Sequence, residues 1–62
     1  MRTIKQVLID RDEMSPEEAD DLIEAAQTEL MELIEAGDFI SAEDICAEYF
    51  GLEPDYLEEL MP

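Results

Sequence analysis

Carboxylates are nearly the whole chemical inventory of this chain: nineteen Asp and Glu side chains stand beside one cysteine, Cys46, and no histidine. Acid–base catalysis by paired carboxylates needs one member desolvated, with its pKa raised. Most of these acids fall on the polar faces of the pattern, where they stay ionised. The lack of histidine removes the commonest general base near neutral pH and the commonest transition-metal ligand. Ser15 and Ser41 sit where helices begin, so their hydroxyls are expected as caps rather than nucleophiles. In DRDEMSPEEADD, Asp10 and Asp12 fit the first and third positions of a calcium loop. Met14 and Ser15 then occupy the fifth and sixth, where a ligand oxygen and a glycine are required. The only glycines, Gly37 and Gly51, read as helix stops, so no phosphate-cradling loop is present. No catalytic, cofactor-binding or metal site is expected. Binding is what remains for the carboxylates to do.

The charge balance says what they would bind. Three basic residues against nineteen acidic ones give a net charge of −16, and the cations Arg2, Lys5 and Arg11 all precede Asp12. From Asp12 to Pro62 there is no positive side chain. Direct contact with nucleic acid or an anionic membrane needs Lys and Arg to neutralise phosphates, so both are excluded as partners. A basic protein surface, or a metal cation, is the natural counterpart. The N-terminal run MRTIKQVLIDRDE is too short and too polar in its apolar part for a signal peptide. No apolar run approaches the roughly 20 residues that span a bilayer. A soluble, cytoplasmic protein is the expectation. Cys46, alone, reads as a small core residue.

Sixty-two residues make a single domain, 1–62. Nearly half of them are apolar and these are periodic, so the chain is expected to fold despite its charge. The element that positions the acids is SPEEADDLIEAAQTELMELIEAG. Ser15 caps it, Pro16 takes its first position, Glu18 closes a capping box, and Gly37 supplies a left-handed exit. Ala19, Leu22, Ile23, Ala26, Leu30, Leu33 and Ile34 form one apolar stripe; Glu17, Asp21, Glu24, Glu32 and Glu35 form an acidic ridge opposite. Met31 lies at the stripe's edge.

Before this helix, residues 3–10 read as a short helix capped by Thr3, with Ile4, Val7 and Leu8 on one face. The alternative, a strand over IKQVLI, has no second strand to pair with unless another copy supplies it. Met14 is placed to pack on Ala19 as a hydrophobic staple. After Gly37, a helix over 41–50 is expected, because Ser41 with Asp44 resembles a capping box and Ile40 with Ile45 a staple. A start at Asp38 is the alternative, since Phe39, Ala42, Cys46 and Tyr49 share a face. Gly51 stops this helix and Pro54 opens a last one over 54–61. The expected fold is all-α, a small bundle of three to four helices (about 3–10, 16–36, 41–50 and 54–61).

Residues 41–61, with Ala47 and Gly51 four apart and Cys46, Phe50, Leu52, Leu57 and Leu60 apolar, resemble the helix-turn-helix of bacterial regulators. The Pro-x-Tyr-Leu opening at Pro54 belongs to the same resemblance. What it implies is a tight helix pair, with the alanine letting the helices approach. It implies no DNA contact, because the would-be recognition helix carries Glu53, Asp55, Glu58 and Glu59 and no cation. In overall character the chain is similar to small acidic proteins of phages and mobile elements.

The expected function is therefore non-enzymatic: an acidic helical module that binds a basic partner surface, in its sharpest form as a nucleic-acid mimic or inhibitor. Its contact residues are expected among Glu17, Asp21, Glu24, Glu32, Glu35, Glu53, Asp55, Glu58 and Glu59. The second reading is an acidic structural homodimer whose charge serves solubility or adaptation to high salt. Phe39, Ile40, Tyr49, Phe50, Tyr56 and Met61 are a generous apolar supply for so short a chain.

Overall fold

In a computed structural model, which describes residues 2–61, the long central helix α2 (Pro16–Glu35) is the element the others pack on. Its twenty residues rise about 30 Å, close to the longest dimension of the molecule, 34 Å. The Ser15 hydroxyl accepts the Glu18 amide at 3.2 Å. The return bond of a capping box is not made among the described residues. Gly37, at φ +76°, ends the helix as a Schellman motif. The Asp38 amide donates to the Leu33 carbonyl and that of Gly37 to Ile34. Ala19, Ala26 and Leu30 are buried, while Leu22, Ile23, Leu33 and Ile34 are half-buried around them. Met31 is 43% exposed, as an edge position should be.

Residues Ile4–Asp12 form α1, a helix and not a strand, running two residues beyond the expected end. Thr3 and Gln6 make a reciprocal capping box, at 3.2 and 3.1 Å. Ile4, Val7 and Leu8 are buried, and Glu13, in the left-handed conformation at φ 57°, turns the chain toward α2. Met14 is half-buried against the core that includes Ala19.

The helix expected over 41–50 is corrected. Its start is Phe39, and it divides into α3 (Phe39–Glu43) and α4 (Ile45–Phe50). Immediately after the turn at Gly37, the Asp38 carboxylate is already placed to accept the Ser41 amide, at 3.1 Å. The helix therefore begins before Ser41 can act as its cap. At Asp44 the chain tightens, its amide bonding the Ser41 carbonyl, and the Glu48 amide then restarts the α pattern on the Asp44 carbonyl. The expected Ile40–Ile45 staple does not form: Ile45 is fully buried and Ile40 is 80% exposed.

Gly51, at φ +65°, ends α4. A 3-10 turn (Pro54–Tyr56) leads into α5 (Leu57–Leu60). There are thus five α-helices and no strand among the described residues, in an all-α bundle. Leu8, Leu30, Ile45, Cys46 and Leu60 are its largest fully buried side chains. Ala47, to which the helix-turn-helix resemblance gives a packing role, is exposed. No described helix is long and apolar enough to cross a membrane.

Candidate functional site: the acidic surface

The three cations set what the acids can still do. Lys5 bonds Asp20 at 3.0 Å, Arg2 lies 3.6 Å from Asp10, and Arg11 holds Asp12 through two nitrogens at 3.0 and 2.9 Å. Arg11 also donates to the Phe50 carbonyl. Its guanidinium thus sits at the C-terminal end of α4, where helical carbonyls lack partners and positive charge is favoured. The bond to Asp12 raises the pKa of Arg11, and Arg11 lowers that of Asp12. All three basic side chains are engaged with acids of their own chain.

All nine expected contact residues are exposed. Along α2, Glu17, Asp21, Glu24, Glu32 and Glu35 recur at helical intervals on one face. Thr28 fills the gap in the row, its hydroxyl donating to the Glu24 carbonyl at 3.0 Å. The middle of this face is a shallow trough lined by Asp21, Glu24, Glu29, Glu32 and Tyr49, among others. Glu17 and Glu35 lie at opposite ends of the helix, roughly 27 Å apart along its axis. Glu53 and Asp55 flank or join the 3-10 turn, and Glu58 and Glu59 belong to α5. Glu59 is not free for a partner in the same way as the others. Its carboxylate accepts the Ile4 amide at 3.3 Å and so ties α5 to the start of α1.

Four members of the trough, Ala25, Thr28, Glu29 and Tyr49, are absent from the expected set, and two of them bond each other. The Tyr49 hydroxyl donates to the Glu29 carboxylate, joining α4 to α2. That bond raises the phenol's pKa, with burial and then the charges of Glu29, Glu48 and Glu32 adding to it. The two residues are twenty positions apart. Only helix packing pairs them, and periodicity within one helix carries no signal of it.

No polar or charged residue is buried among the described residues, so none of their carboxylates is held in the apolar surroundings that make a general acid. Cys46 is fully buried, and burial, followed by the charge of Glu59, pushes its thiol pKa up. A thiol so placed is a poor nucleophile. Among the described residues no group of three or more Asp, Glu or Cys side chains converges on a metal-sized site. The arrangement can attract, orient and hold a cationic surface. Comparison with protein-family models, curated proteins and solved structures finds none that matches this chain.

Proposed function

We propose that this chain is a non-enzymatic, acidic protein-interaction module that docks on a basic surface of a partner protein. The observation that carries the reading is the engagement of Arg2, Lys5 and Arg11 by Asp10, Asp20 and Asp12. The remaining acids, the α2 face foremost, present negative charge with no neighbouring cation to answer it. Such a surface steers cationic partners inward and repels phosphates. In its sharpest form the module imitates nucleic acid, with carboxylates along α2 taking the place of phosphates at a basic protein's binding site. A cytoplasmic setting is part of this reading.

The test is affinity capture from cell lysate at about 50 mM salt, elution at about 200 mM, and identification of what elutes. Basic proteins, released by salt and displaced by duplex DNA, are expected. A captured set that is neutral or acidic and withstands the higher salt contradicts the reading.

A further inference from the structure

The acidic exterior has an apolar interruption. Where α3 and α5 meet the end of α2, Ile34, Phe39, Ala42, Leu57 and Met61 line a groove of about 300 Å³, with Glu43 in its wall. It is more enclosed than the trough over α2. Phe39 and Met61 are 62% and 48% exposed, and neither belongs to the buried core. The early start of α3 at the Asp38 cap puts Phe39 on this surface instead of in the linker expected before Ser41.

We infer that this groove gives the proposed interaction its specificity by receiving an amphipathic, basic helix of the partner protein. Large apolar side chains of that helix seat between Phe39 and Met61, and its Lys and Arg side chains meet the surrounding carboxylates. The inference rests on the protein-interaction reading above. Charge selects the occupant. Glu43 stands in the groove's wall, and the chain around it carries a net charge of −16. The chain's cations lie at residues 2, 5 and 11 and are engaged elsewhere. A second copy would bring the same negative charges, Glu43 among them, and like charges across an interface suppress pairing. A neutral peptide would gain nothing from them. A recessed apolar groove between helices suits a helix carrying anchors at i, i+3, i+4 and i+7. The flexible thioether of Met61 and the ring of Phe39 adapt to such anchors.

Two synthetic peptides of identical Lys, Arg and Leu composition provide the test, one with leucines at helical spacing and one scrambled. Each is titrated by fluorescence anisotropy against the full chain and against a Phe39→Ala, Met61→Ala variant, with circular dichroism as the check on folding. The amphipathic peptide is expected to bind the unmodified chain at least about tenfold tighter than the scrambled one. The variant should bind both alike. In NMR spectra of the unmodified chain, shifts should centre on Ala42 and Leu57, which keeps the question open to test even if the variant fails to fold. Equal affinity of the two peptides for the unmodified chain, or shifts centred on the α2 trough, overturns the groove and leaves the acidic-module reading standing. Failure of both peptides to bind at low salt overturns the two together. A dimer in sedimentation that the variant abolishes assigns the groove to a second copy and overturns the inference as well.

Discussion

Arg11 joins segments that lie far apart in the chain. It pairs with its neighbour Asp12 and reaches the Phe50 carbonyl 39 positions away. The sequence pattern places it in a polar connection and carries no sign of the distant partner. Arg11→Ala should lower the melting temperature and leave the helix content of the folded state unchanged, measured by circular dichroism. Cys46 was more legible, because its place among apolar residues marks it as core, and it is fully buried. Its thiol should react with a disulfide reagent only when denaturant opens the fold. Tyr49 contributes to pH dependence with a definite sign. Its pKa is raised in the folded state, so its contribution to stability is complete below the unfolded value of about 10 and is lost as pH rises through the folded value. An ultraviolet titration should therefore show late tyrosinate formation that Tyr49→Phe removes.

At the scale of elements, stop and start signals were readable wherever a single one was present. Thr3, Ser15, Gly37 and Gly51 act in the structure as their types suggest. The exception is the segment after Gly37, where Asp38 and Ser41 both carry cap chemistry and the local pattern favours Ser41, the wrong one. Proximity to the preceding turn decides in favour of Asp38. Asp38→Ala should cost about 1 kcal/mol of stability, the usual loss for a helix cap. Ser41→Ala should change stability by less than about 0.5 kcal/mol. Equal effects in chemical denaturation would count against the observed start of α3. Leu30, on α2, is among the largest fully buried side chains of the core. Leu30→Ala should cost about 2–5 kcal/mol, against a total of roughly 3–9 kcal/mol for a domain of this size. A largely unfolded circular-dichroism spectrum is the expected result.

The molecule as a whole is small beside the reach of its charge. Its extents are 34 × 20 × 18 Å, and the Debye length is about 10 Å at 0.1 M salt. A net charge of −16 therefore acts on itself across much of the structure at low salt. Added sodium chloride should raise the melting temperature, and a melting temperature indifferent to salt would show the repulsion to be unimportant. The acidic face of α2 was legible because it is a periodic property of one helix. The trough and the apolar groove were not. The first needs Tyr49 to meet Glu29, and the second needs Leu57 and Met61 to come beside Ile34 and Phe39. The most direct measurement is calorimetric titration of the purified chain with a Lys-rich peptide and, in parallel, with duplex DNA, between about 50 and 200 mM salt. Peptide binding should weaken steadily as salt rises, with no binding of DNA at any of these concentrations; binding of DNA, or peptide affinity that ignores salt, would contradict an acidic module built to meet a basic surface.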